Sequence, residues 1–125
     1  VFLTFVVWFY LYALRIPEIR SKGIDLKDLK DRAEGHRLLP VSAAASNNLK
    51  NLFEIPVLFY ALCLYLFVTG SVDTVYVTCA WLFFVFRALH SAVHCTVNIV
   101  RLRFGVYAVS TIVLWFMIVR ALLAL

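Results

Sequence analysis

Four long apolar stretches alternate with polar segments along the chain. They predict helix 1 at about 1–15, helix 2 at about 42–69, helix 3 at about 74–99 and helix 4 at about 104–125. A helix needs ~20 mostly apolar residues to cross the hydrocarbon of a bilayer. Because the chain begins at Val1 inside an apolar run, we expect further residues to precede it and complete helix 1. The predicted fold class is an all-α membrane protein, a four-transmembrane-helix antiparallel bundle with one membrane domain over 1–125.

Composition and charge agree with that assignment. The chain is 64% hydrophobic, and its mean hydropathy is +0.92. Seven of the twelve Lys and Arg residues lie between Arg15 and Arg37, where acidic residues are interspersed, so the net charge of +5 indicates a wet loop near lipid headgroups and not nucleic-acid binding. The loop at 16–41 and Arg101/Arg103 are basic, which places them on the cytosolic side and both termini on the opposite side.

Helix 3 carries an unusual stripe of polar residues at membrane depth. At 100° per residue the stripe covers an arc of about 100°, and apolar residues cover the rest of the helix. Ionisable groups at such depth usually face a bundle interior or a wet cavity. The members of the stripe are Arg87, His90, Ser91, His94, Asn98 and Arg101.

A second polar face opens helix 2. Pro56 follows it and removes one backbone donor, which frees the carbonyl of Leu52. The Gly70–Asp73 turn makes helices 2 and 3 neighbours, so counting depth from the cytosolic edge brings Glu54 level with the stripe of helix 3. We therefore predict a cationic, cytosol-facing pocket for a small polyanionic ligand. The second face consists of Asn47, Lys50, Asn51 and Glu54, and Arg15 at the end of helix 1 is a further candidate.

Several structural interpretations compete with ligand binding. Arg87 and Glu54 are also suited to an ion pair that joins two helices. His90 and His94 have the spacing of metal ligands but also of packed histidines, and the three separated cysteines complete no metal motif, so we predict no metal.

The motifs Asn-x-x-Glu-x-Pro at 51–56 and Arg-x-x-His-x-x-x-His from Arg87, with a further arginine at 101, resemble those of the MAPEG family. These are the membrane-associated proteins in eicosanoid and glutathione metabolism. The resemblance covers nearly the whole chain and is that of a divergent, bacterial-like member. It implies a homotrimer of four-helix subunits that binds glutathione as cosubstrate between neighbouring subunits, near the cytosolic side.

The resemblance also implies roles for individual residues. Arg101, or Arg103 if the loop register differs, would stand where the family has its thiolate-stabilising arginine. Arg15 would join a neighbouring subunit's site. The residues that would hold glutathione by this resemblance are Lys50, Asn51, Glu54, Arg87, His90 and His94. Asn47 and Asn98, which lie on the same two polar faces, are further candidates.

The chain departs from the family pattern at two places. Well-characterised members carry aromatic hydroxyls where this chain has His90 or His94, and arginine is common where Lys50 stands. Two functions follow: a membrane-bound glutathione transferase or peroxidase acting on lipophilic electrophiles, or a non-catalytic structural or accessory subunit of a larger membrane complex.

Overall fold

The computed structural model describes residues 1–124, apart from the side chains of Leu26 and Arg32, and its secondary structure is mostly helical. Within these residues there is no strand, and four segments are long and apolar enough to cross a membrane, at Phe2–Lys22, Pro40–Val68, Thr74–Cys95 and Val100–Leu123. The predicted all-α membrane fold with four spanning helices is therefore confirmed. The helices are α1 Phe2–Lys22, α2 Arg32–Leu38, α3 Pro40–Leu52, α4 Ile55–Val68, α5 Thr74–Cys95 and α6 Val100–Leu123, with a short 3-10 helix at Leu26–Leu29.

The described residues group into two compact units, one of residues 1–51 and one that begins at Leu52. The first unit contains α1, α2 and nearly all of α3. The second contains α4, α5 and α6. The organisation of the chain as a single domain stays a prediction.

Helix α1 is longer than the sequence predicted, since it continues through Pro17 to Lys22 instead of ending near residue 15. A proline removes only the hydrogen bond to the carbonyl four residues earlier, and a helix can continue beyond it. The end is set by Gly23, which adopts the left-handed conformation at φ 61°. Its N–H and that of Ile24 bond back to the carbonyls of Arg20 and Ile19 at 3.4 and 3.3 Å, which forms a Schellman cap.

A buried carboxylate of α1 caps the start of α3. Glu18 is 6% exposed and accepts hydrogen bonds from the backbone N–H groups of Val41 and Ser42, both at 3.0 Å. The Nζ of Lys22 lies 3.2 Å from the same carboxylate. Because the first N–H groups of a helix have no partner within it, Glu18 satisfies two donors that would otherwise be unpaired.

We expect Glu18→Ala to lower the free energy of unfolding by about 1–3 kcal/mol, because it leaves the partly buried N–H of Val41 and the buried N–H of Ser42 without an acceptor. Lys22→Met is the matched control. It removes the partly exposed partner and is expected to cost under about 1 kcal/mol. Denaturant unfolding in mild detergent compares the two variants, and equal losses would show that Glu18 acts through the ion pair and not as a cap.

The predicted helix 2 is divided in two. Helix α3 begins at Pro40 and ends at Leu52, and α4 begins at Ile55 after a break at Phe53 and Glu54. The ring of Pro56 would clash with the carbonyl of Leu52, and its missing N–H cannot bond to that carbonyl, so a continuous helix is unfavourable at this point. Glu54 lies in the break with φ −99° and ψ −97°.

The core of the second unit consists of apolar side chains from its three helices. Phe59 of α4 stacks on Phe83 of α5 with ring centroids 4.2 Å apart. Many large apolar residues point outward instead, as at Trp81 and Ile112, which are 64% and 67% exposed. This outer surface is what a bilayer solvates. The buried members of the core are Leu62, Leu66, Tyr76, Phe83, Leu114, Met117 and Ala121.

Asp73, at the turn between α4 and α5, joins the ends of α5 and α6. Its Oδ1 accepts from the N–H of Tyr76 at 3.0 Å and so caps α5. The guanidinium of Arg120 donates to both of its oxygens, at 3.0 and 2.5 Å, and lies 4.3 Å from the centre of the Tyr76 ring. The bonds from Arg120, followed by the Tyr76 N–H, lower the pKa of Asp73 to about 2.

This lowered pKa predicts an acid-sensitive part of the stability. A carboxyl whose pKa is lower in the folded chain stabilises the fold above its unfolded pKa, and that contribution disappears as the pH falls through about 2. We expect Asp73→Ser, which keeps a capping oxygen, to lower the melting temperature at neutral pH. The variant should also lack the loss of stability that the wild-type chain shows below about pH 4. Thermal unfolding against pH measures both, and an unchanged acid limb would assign it to other carboxyls.

Candidate functional site

The polar stripe of the predicted helix 3 points inward on α5. Arg87 and His90 are each 2% exposed, and Ser91 and His94 are each 3% exposed. The opposite side of α5 carries exposed apolar residues such as Val85 and Leu89. The amphipathic pattern therefore identified the buried face correctly for these four members of the stripe, all of which lie within α5.

The stripe does not continue to Asn98 and Arg101 as the sequence predicted. Helix α5 ends at Cys95, and Asn98 has a positive φ of 46°, a conformation that asparagine tolerates better than most residues. The N–H of Asn98 bonds to the carbonyl of Val93 at 2.7 Å. Helix α6 then begins at Val100, so the chain has turned before either arginine is reached.

This turn decides which arginine meets the stripe. Arg101 is exposed, whereas Arg103 is partly buried and returns to α5. The Nη1 of Arg103 donates to Nε2 of His94 at 3.1 Å and to Oδ1 of Asn98 at 2.8 Å. The prediction left Arg101 and Arg103 open, and the geometry favours Arg103.

The same contacts assign the protonation of both imidazoles. The Nδ1–H of His90 donates to the backbone carbonyl of Arg103 at 3.1 Å, because a carbonyl oxygen only accepts. His94 accepts the guanidinium N–H at Nε2 and is therefore neutral, with its proton on Nδ1. The two rings lie 5.5 Å apart in an edge-to-face arrangement.

Arg87 lies deeper than Arg103, between two aromatic rings. Its guanidinium carbon is 5.5 Å from the centre of Phe83 and 4.5 Å from the centre of Tyr107. Nη2 donates to Oγ1 of Thr111 at 3.4 Å. Glu54, exposed at the break before α4, acts on Arg87 through its charge.

Several buried polar atoms at this place have no hydrogen-bond partner within residues 1–124. They belong to three side chains of the stripe, and three of the atoms are donors and one is an acceptor. An unpaired polar atom in a buried position costs about 1–3 kcal/mol, so such a cluster is typical of a site completed by another molecule. The atoms are Arg87 Nε, Arg87 Nη1, His90 Nε2 and His94 Nδ1.

The remaining predicted residues belong to the unit of residues 1–51. Asn47 and Lys50 are exposed on α3, while Arg15 on α1 and Asn51 on α3 are partly buried. Their participation in one site with the α5 stripe stays a prediction. Within the described part of the chain, no three His, Cys, Asp or Glu side chains lie together as metal ligands.

The sequence reasoning missed the contribution of α6. Tyr107 and Thr111 follow Arg103 at intervals of four residues, so the three share one face of the helix. Tyr107 lies against both Arg87 and His90, with its ring centre 5.5 Å from that of His90. The signal was this i, i+4, i+8 spacing, which is easily overlooked inside an otherwise apolar helix.

Comparison with known protein families gives a match over nearly the whole chain. A family model described as the MAPEG family matches residues 1–123 of the chain. The match includes every residue of the two polar faces, and it confirms the resemblance inferred from the motifs at 51–56 and 87–94. No curated protein and no solved structure matches the chain with significant similarity.

Proposed function

Because this chain belongs to the MAPEG family, we propose that it is a membrane-bound, glutathione-dependent transferase or peroxidase. It binds glutathione in an interhelical pocket near the cytosolic side and activates the thiolate towards lipophilic electrophiles. At the level of the family, membership supports a glutathione-related function in a membrane. The electrophile and the activity itself belong to the proposal.

The observation that carries the proposal is the position of Arg103. Its guanidinium is partly exposed and bonded only to neutral groups, His94 and Asn98, among the described residues. An anion that reaches it therefore replaces a neutral acceptor and need not break an ion pair. A cation that hydrogen-bonds to sulfur lowers the pKa of a thiol and raises the thiolate fraction at neutral pH.

The other groups suit the rest of glutathione. Arg87 provides unpaired N–H donors for a carboxylate, and Glu54 offers a carboxylate for the ammonium. Tyr107 brings a phenol to the site from α6, beside the histidines that stand where family members carry aromatic hydroxyls. We propose that the first unit adds further contacts, from the same or a neighbouring subunit of a homotrimer, through Arg15, Asn47, Lys50 and Asn51.

The exposed apolar surface suggests how the second substrate arrives. A lipophilic electrophile partitions into the bilayer. In this proposal the apolar outer faces of α5 and α6 contact that bilayer. The polar stripe lies on the inner face of α5. The reaction then takes place where these two environments meet, with thiolate held on the polar side.

One observation favours the second function, a structural or accessory subunit. The buried polar groups already join α5 to α6, since His90, His94 and Arg87 each contact a residue of α6. Hydrogen bonds of this kind are worth about 1 kcal/mol between membrane helices and can serve assembly alone.

Titration of the purified protein with glutathione, followed by ultraviolet difference absorbance, separates the two functions. A saturating thiolate band supports the transferase, and S-methylglutathione, which has no thiol, should bind without producing it. If glutathione produces neither the band nor a shift in the melting temperature, the transferase proposal is wrong. The mass in mild detergent then tests assembly, since a sharp trimer fits the enzyme and co-purifying subunits fit the accessory role.

A further inference from the structure

We propose that His94 is the general base that removes the thiol proton of glutathione, so that Arg103 and His94 act on the same sulfur. This inference rests on the proposed function and deepens it. It assigns the destination of a proton that a thiolate-stabilising arginine alone does not determine.

The first argument is the atom that His94 presents. Its Nε2 accepts from Nη1 of Arg103 at 3.1 Å, so the lone pair of a neutral imidazole is directed at the cation that would hold the sulfur. A thiol placed on Arg103 from the side of the exposed Asn98 meets the donor first, and the lone pair of Nε2 becomes available when Arg103 turns its N–H to the sulfur. Arginine cannot accept a proton, and histidine is the side chain whose basicity suits proton transfer near neutral pH.

The step balances without any further reactant. The S–H bond of the thiol breaks, its proton forms an N–H bond at Nε2 of His94, and the electron pair stays on sulfur as thiolate. Arg103 turns its N–H from His94 to the sulfur. His94 becomes an imidazolium, and its proton is available for the leaving group or the product after the thiolate attacks.

The thiolate that forms beside His94 favours keeping that proton there. In the empty site a positive charge on His94 is opposed by its burial and by Arg103, so the imidazole is neutral before glutathione binds. Transfer of the thiol proton to His94 places the new thiolate beside two cations, Arg103 and the imidazolium, so the added positive charge gains an opposite charge next to it.

The test measures protons and thiolate together. The protein is titrated with glutathione at about pH 7 in weak buffer with an indicator dye, and the proton release seen with S-methylglutathione is subtracted. We expect the wild-type chain to form thiolate while releasing well under one proton for each thiolate. His94→Gln keeps a hydrogen-bond acceptor for Arg103 but no base, and is expected to release about one proton for each thiolate it still forms. His36→Gln, a histidine of α2 outside the stripe, should behave as wild type.

Each outcome is decisive. Full proton release by the wild-type chain overturns the inference and leaves the proposed function standing, and this result needs no variant to fold. Equally low release by His94→Gln overturns it as well, because the proton would then reside elsewhere. A wild-type chain that forms no thiolate removes the proposed function and this inference with it.

Discussion

Arg103→Ala is expected to abolish the thiolate absorbance of bound glutathione and to lower the rate of conjugation to chlorodinitrobenzene by at least about 100-fold. Removal of one group that stabilises a developing anion typically has an effect of this size. The guanidinium is the cation that the structure brings to the inner face of α5, through its bonds to His94 and Asn98. The measurement is the ultraviolet titration, followed by the conjugation rate at saturating glutathione.

Arg101→Ala is the matched control, since it removes the same charge two residues away in the sequence. Arg101 is exposed and lies on the first turn of α6, so we expect affinity and rate to change by no more than about twofold, as for most surface substitutions. If Arg101→Ala loses the thiolate and Arg103→Ala keeps it, the assignment from the α5–α6 turn is wrong. Loss in both variants would indicate a general need for positive charge.

Arg87→Met is expected to weaken glutathione binding by about 10- to 150-fold, which corresponds to ~1.5–3 kcal/mol for a hydrogen bond to a charged group. The stability of the chain should stay equal or rise. Arg87 is 2% exposed, and replacement of a buried charge by an apolar side chain of similar volume is often neutral or stabilising. Calorimetric titration gives the affinity, and thermal unfolding in detergent gives the stability.

Thr111→Val is the companion variant for Arg87. It removes the hydroxyl that accepts from Arg87 Nη2 at 3.4 Å but keeps the guanidinium, so we expect a smaller loss of affinity. A strongly destabilised Arg87→Met chain with unchanged glutathione affinity would contradict a ligand role. That result would favour the structural or accessory subunit, in which the polar stripe joins helices.

The two arginines therefore answer different questions. Arg103 lies at the exposed end of the stripe and tests sulfur activation, whereas Arg87 lies in the buried part and tests binding against helix association. If glutathione binding depends on Arg87 but no thiolate forms at Arg103, the chain binds glutathione without activating its thiol.

The sequence alone determined the class of the protein and the inner face of α5. Four apolar stretches are sufficient for the membrane fold because a bilayer leaves few alternatives to the helix. The spacing of Arg87, His90, Ser91 and His94 was sufficient to predict their common burial, since side chains three and four residues apart in a helix share a face. The motifs around Asn51 and Arg87 also led to the family.

The tertiary structure decided everything that depends on where helices stop. Helical periodicity extended the predicted helix 3 to about residue 99 and its polar stripe to Arg101, but the helix ends at Cys95, and Asn98 adopts a positive φ in the turn before α6. Arg103 consequently meets His94, and Tyr107 and Thr111 of α6 complete the surroundings of Arg87. A periodic pattern is local and carries no information about a contact made after a turn, because such a contact depends on the packing of two helices and not on the spacing within either.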